Sequence, residues 1–435
     1  MAIVQAPPAA APAHPRPASR DTAIDFVRAL CVLGVVLLHA IMVGVTVSEG
    51  GPLFENASDG TAWIAPLSWL LQVMPLFFVI GGFSGSIAYR RLHERGGSAV
   101  DFVAGRVHRL LRPAMYVVAA VALALAALTV AGVPAELIAT AGFRYGQPLW
   151  FLGVFLLCQA LLPWLVSAHR RAPLRAIGAL ALAAVVVDVV RAATGVEGLG
   201  FLNLGFVWLT LQQLGFFLAD GSIDALSRKV RGTAGLGALL VLAVTFLAGV
   251  YSPDLIANIN PPTTALLLVG VAHTSLLSLH RARIERFSRR PLVAGFTGFV
   301  TRRAMTIYLW HMPMLLLMAG TTAVFSLTAG ISLPALDSAE WWAGRPLWLA
   351  VALALTALAA LAFSRFETQS PPVATASTHR LVLGTLSGLI GIVLLLVLGT
   401  SVATAVIAIA LIAGALRLAS LSAHVPVRGG TLGLL

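Results

Sequence analysis

The chain is an almost unbroken succession of apolar runs, most of them close to 20 residues long and separated by short gaps. Roughly 20 apolar residues is what an α-helix needs to cross the hydrocarbon core of a bilayer. Candidate spans cover about 23–46, 64–88, 113–133, 149–167, 174–191, 201–219, 234–251, 263–280, 305–327, 347–364, 381–398 and 401–416. The last two share one apolar stretch between Arg380 and Arg417, with Gly399-Thr400-Ser401 offering a turn. The count is therefore twelve, or eleven if that stretch crosses once. Only helices and closed barrels satisfy their backbone groups in lipid, and these runs have helical length. The expected fold is an all-α, polytopic transmembrane bundle. Composition agrees, since 59% of the 435 residues are hydrophobic and only 11% are charged. A soluble protein of this size needs far more charge to cover its surface.

The gaps test the count. Arg16 and Arg20 precede the first span. Arg90, Arg91, Arg95, Arg106, Arg109 and Arg112 fill the second gap, and Arg170, Arg171 and Arg175 the fourth. Arg228, Lys229 and Arg231 fall in the sixth, and the eighth carries seven arginines from Arg281 to Arg303. The odd gaps are poor in Lys and Arg and carry the acids Glu49, Glu55, Asp59, Glu136, Glu197, Asp254, Asp337 and Glu340. Basic loops stay in the cytoplasm, so this alternation places both termini there. The same pattern accounts for the net charge of +12 without nucleic acid, which is excluded as a partner.

Residues 1–19 are rich in Ala and Pro and read as a disordered cytoplasmic tail, with a second tail over 419–435. The first apolar run is too long for a signal peptide and carries Arg28 and His39, so it stays as a membrane helix. Cys31 and Cys158 lie in apolar runs and read as small core residues, with no metal spacing around them.

Chemistry must come from polar residues in or near the spans. In "RALCVLGVVLLHA", Arg28 and His39 are eleven residues apart, which closes on three helical turns. Both project from one face, about 16 Å apart, with Asp25 one turn below Arg28. Arg28 falls at the cytoplasmic boundary and His39 at mid-depth, where an ionisable group is expensive and points to function. In "RVHRLLRP", Arg106, Arg109 and Arg112 recur every third residue as a basic stripe suited to phosphate, with Pro113 at the turn into a span. In "IYLWHMP", His311 sits inside a span beside Pro313, which can kink the helix. In "FSRFE", Glu367 is an acid on a basic side and calls for an arginine partner. "NINPPTT" opens the eighth span and reads as structural.

Together these residues resemble the acyltransferase 3 family of bacterial inner-membrane acyltransferases. The resemblance is carried, in order, by "IDFVRALCVLGVVLLHA", "PLFFVIGGFSGS", "RVHRLLRP", "PLWFLGVFLL", "IYLWHMP" and "FSRFE". It covers ten spans over about 20–370 and leaves a C-terminal transmembrane pair, 371–418, outside it. The chain departs from the pattern at Gly81-Gly82-Phe83, where Ser-Gly-Phe is frequent, and at Pro148, where a polar residue commonly precedes Leu149-Trp150.

The resemblance implies transfer of an acyl group, often acetyl, from cytoplasmic acyl-CoA to a hydroxyl of a glycan, a lipid-linked sugar or a secondary metabolite. No metal is expected. Arg106, Arg109 and Arg112 would dock the donor phosphates, and His39 would act as general base or as a transient acyl carrier. Arg28 would hold donor phosphate or stabilise the oxyanion, oriented by Asp25. His311, Trp150, Ser84 and Glu367 are the expected pocket-lining residues. The rival from another class is a transporter or flippase without covalent chemistry, which a bundle with buried His and Arg also suits.

Overall fold

The computed structural model describes residues 21–48 and 51–420. Asp21 caps the first helix by accepting a hydrogen bond from the Ile24 N–H, and α1 runs Thr22–Met42. It stops where the β-branched, alternating sequence Val43-Gly44-Val45-Thr46-Val47 begins, because such residues favour extended backbone. There β1 (Val43–Ser48) pairs antiparallel with β2 (Gly51–Asn56), from Val43 opposite Asn56 to Ser48 opposite Gly51. The first expected span, 23–46, is therefore helical only to Met42. The second, 64–88, divides into α2 (Ile64–Leu71) and α3 (Met74–Glu94). Pro75 in the first turn of α3 has no N–H with which to extend the preceding helix.

A reciprocal cap starts α4 (Ala99–Val130): Ser98 Oγ accepts from the Asp101 N–H, and the Asp101 carboxylate accepts from the Ser98 N–H. Pro113 lies inside this 32-residue helix, not at its beginning as expected. The cap more than three turns upstream sets the helix before the proline is reached. Then come α5 (Ala135–Gly146), α6 (Leu149–Arg171), α7 (Pro173–Thr194), a 3-10 turn (Glu197–Leu202), α8 (Asn203–Ala219), α9 (Ser222–Ala225) and α10 (Arg228–Leu247). The remainder is α11 (Ala265–Ser288), α12 (Pro291–Arg302), α13 (Ala304–Ala329), α14 (Ala339–Phe363), α15 (Arg365–Thr368), α16 (Thr378–Val397) and α17 (Val402–Leu418).

Contacts between gaps sort the two ends of the bundle. At one end Arg281 pairs with Asp21 and Asp224, His169 lies 2.9 Å from Asp220, and Arg90 donates to Ala219 O. These join the gaps that are rich in arginine. At the other end Trp69 donates to Pro253 O, Gln72 donates to Leu255 O, and the Trp63 and Trp342 rings meet at 5.2 Å. These join the gaps poor in Lys and Arg, and the start of the second expected span, to one another. The positive-inside alternation thus corresponds to two physical ends.

Among the described residues, eleven helical stretches are long and apolar enough to cross a membrane. The twelfth, α17, has only 17 residues, about 25 Å of helix. It nevertheless joins both ends. Thr400, just before it, rests on the backbone of Gly142 in the arginine-poor half, and Ser420, just after it, hydrogen-bonds His108 in the arginine-rich half. The tail expected over 1–19 lies outside the described residues, as does that expected over 419–435 apart from Ala419 and Ser420.

Candidate active site

Helix α1 lies within the bundle, packed against α3, α11, α12, α13 and α14. Beside it is a cavity of about 640 Å³. Its lining runs from Asp21, Arg91 and Arg109 in the arginine-rich half to Met42, Gln72 and Ile259 in the opposite half. The walls between are largely aromatic, from Phe77, Trp150, Phe151 and Phe155. Trp150 is held by stacking on Trp208, with ring centroids 5.5 Å apart.

Asp25 and Arg28 share one face of α1, and Arg28 Nη1 donates to Asp25 Oδ1 at 3.0 Å. Arg28 Nη2 also donates to Ser84 Oγ on α3. The Gly-Gly departure therefore still leaves a serine hydroxyl in the site, three residues further along α3. Gly82 itself is demanded by packing, since a Cβ there would sit 2.1 Å from the Gln212 carbonyl oxygen of α8.

His39 lies in the last turn of α1, because the helix ends at Met42. The mid-depth position expected from a span reaching residue 46 shifts accordingly, while β1 carries the chain on against Ala319 and Ala323 of α13. The His39 Nδ1 is 2.8 Å from Val35 O. A carbonyl only accepts, so Nδ1 carries the proton and Nε2 is the basic nitrogen.

His311 lies against this imidazole with ring centroids 5.0 Å apart, and its Nδ1 bonds Tyr308 O. His311 does not itself line the cavity, and its Nε2 is buried without a partner among the described residues. Tyr308 does line it, and donates its hydroxyl to Pro148 O at 2.7 Å. Helix α13 continues through Pro313 without interruption.

The arginine stripe divides. Arg106 and Arg109 line the cavity together with Arg28 and Arg91, and Arg106 lies 4.8 Å from the Phe102 ring centroid. Arg112 is turned away, donating to the backbone oxygens of Gln369 and Ser370. Each step of three residues falls about 60° short of a full turn, so the third arginine is about 120° from the first.

Glu367 lines the cavity, but its partners are not an arginine. Its carboxylate accepts from the Met305 and Thr306 N–H groups and the Thr306 hydroxyl. It caps the N-terminus of α13, where unsatisfied N–H groups and the helix dipole favour an anion.

Eight of the ten expected site residues thus reach one cavity: Asp25, Arg28, His39, Ser84, Arg106, Arg109, Trp150 and Glu367. Sequence reasoning passed over Gln159, Gln72 and Tyr308, and took Arg91 only as a topology marker. The two glutamines had a signal, a carboxamide inside an apolar run. The "NINPPTT" segment serves structurally: Asn258 donates to Ser252 O and Asp254 O and accepts from the Thr263 hydroxyl, shaping the loop that carries Ile256 and Ile259 to the cavity.

A bundle of this kind, with an arginine-lined internal cavity and a histidine on its wall, defines a multi-pass membrane protein. A family model described as an acyltransferase domain, that of the acyltransferase 3 family, matches residues 21–365, and the chain belongs to this family. The match ends before α16 and α17 begin. No curated protein and no solved structure matches the chain.

Proposed function

We propose that the protein resides in a bacterial inner membrane and transfers an acyl group, acetyl in the simplest case, from cytoplasmic acyl-CoA to a hydroxyl. The acceptor would be a glycan, a lipid-linked sugar or a secondary metabolite. One observation carries the reading: a single cavity joins an arginine-lined end to a histidine whose Nε2 is basic.

Arg106, Arg109 and Arg91 would receive the donor's phosphates, since guanidinium forks match phosphate oxygens. The acceptor hydroxyl gives its proton to His39 Nε2 as its oxygen attacks the thioester carbonyl. Arg28, oriented by Asp25 and Ser84, would stabilise the developing oxyanion with its positive charge. Collapse breaks the carbon–sulfur bond, and the proton on His39 passes to the departing thiolate. In the two-step variant His39 Nε2 takes the acyl group first, with the carbon–sulfur bond breaking to release the CoA thiolate, and the acceptor oxygen then takes the acyl group from His39 as the hydroxyl proton passes to that thiolate.

Membranes containing the protein, given labelled acetyl-CoA and cell extract, test this directly. Label should appear in hydroxyl-bearing products with wild type and vanish with His39→Ala while the variant still accumulates in the membrane. Retained labelling by that variant sinks the role of His39. A transporter would move its solute without releasing CoA thiol, so absence of thiol release favours that rival.

A further inference from the structure

Among the polar groups on the cavity wall that the chemistry above does not use, Tyr308, Gln72 and Glu367 have hydrogen-bond partners within the protein. Gln159 lies in the middle of α6 with a 2% exposed side chain, and it lines the cavity. Its carboxamide has no hydrogen-bond partner among the described residues. Burying an amide without a partner is costly, and leucine or phenylalanine would fill this aromatic wall at no such cost.

Its position is set by close helix packing. At Gly85 of α3 a Cβ would lie 2.4 Å from Leu162 Cδ1 and 3.7 Å from both amide atoms of Gln159. Gly85 directly follows Ser84, which binds Arg28. The free carboxamide and the Arg28–Ser84 pair therefore occupy adjoining walls, on the side of the cavity nearer the arginines than His39 is.

A carboxamide offers one donor and one acceptor face, which a secondary amide complements on both counts. A thioester donor of the coenzyme A kind carries such amides in the neutral arm between its phosphates and its sulfur. We propose that Gln159 hydrogen-bonds an amide of that pantetheine arm, making it the residue that recognises the donor between the arginine-lined end and His39. This rests on the acyltransferase reading above. The same arm occurs on free CoA and on an acyl carrier protein, and both carry the chemistry.

Binding to the purified full-length protein in detergent tests it without knowledge of the acceptor. Gln159→Met keeps the side-chain volume and removes the hydrogen bonds. It should weaken acetyl-CoA about tenfold, the effect of one lost buried hydrogen bond. It should leave 3′-phosphoadenosine 5′-diphosphate, which has the phosphates and no arm, unchanged. Arg106→Ala should weaken both. If acetyl-CoA fails to bind wild type and an acetylated carrier protein binds, the tenfold loss must appear with the carrier. Equal affinity of wild type and Gln159→Met for the acetylated donor overturns the assignment, as does an equal loss for the armless nucleotide. If wild type binds neither acetylated donor, the donor reading itself falls.

Discussion

The imidazoles of His39 and His311 lie 5.0 Å apart and inclined at 60°, each with its Nδ1 on a carbonyl of its own helix. One lines the cavity and the other is buried behind it. Helices α1 and α13 thereby fix the orientation of the ring proposed as the base.

Removing the backing ring should therefore misplace the base. His311→Ala is expected to lower kcat at least about tenfold with little change in the donor KM, since displacements near 1 Å cost up to ~10² in rate. His311→Phe, which keeps an aromatic face, should retain most of the activity. Steady-state kinetics on both variants check this. A His311→Phe protein as inactive as His39→Ala would show that the ring nitrogens, not the packing, are needed.

The divided arginine stripe separates donor binding from architecture. Arg106→Ala and Arg109→Ala should each raise the KM for acetyl-CoA about tenfold, the weight of one charge-assisted phosphate contact. Arg112→Ala should leave that KM within about twofold, because its partners are the Gln369 and Ser370 backbone. An equal effect from all three would contradict the arrangement seen here.

Glu367 is expected to act on stability through α13. Glu367→Ala strips a carboxylate from two backbone N–H groups and a hydroxyl. The loss should be about 1–2 kcal/mol, seen as a lower melting temperature in detergent. Glu367→Gln keeps an acceptor and should lose less.

Helix contact at Gly82 gives a paired test of packing. Gly82→Ala forces a Cβ into the Gln212 carbonyl and should cost about 1–3 kcal/mol. Gly105→Ala, inside α4 with open space at its Cβ, should be neutral or stabilising by up to about 1 kcal/mol. Thermal unfolding of the two variants, read side by side, decides it.

Sidedness of the C-terminal pair can be read chemically. Ser401→Cys should be labelled by an impermeant thiol reagent on the same face as Gly198→Cys and opposite to Ser370→Cys. The native Cys31 and Cys158 are buried and should give little background. Labelling of residues 401 and 370 from one face would reduce the count to eleven crossings.

Much of this architecture follows from the sequence by itself, because lipid enforces it locally. A span must be apolar, helical and about 20 residues long wherever it packs, and each gap's charge reports its side independently of the others. The face shared by Asp25, Arg28 and His39 is likewise a property of one helix. What tertiary structure decided are the relations between helices that no single period encodes. The end of α1 at Met42 reflects a hairpin packed on α13, and the division of the arginine stripe reflects which side of α4 meets the cavity. The capping of α13 by Glu367, the backing of His39 by His311 and the placing of Gln159 against Gly85 all join residues far apart in the chain. Close packing at glycines and paired buried polar groups set those meetings, and both exist only once the helices are assembled.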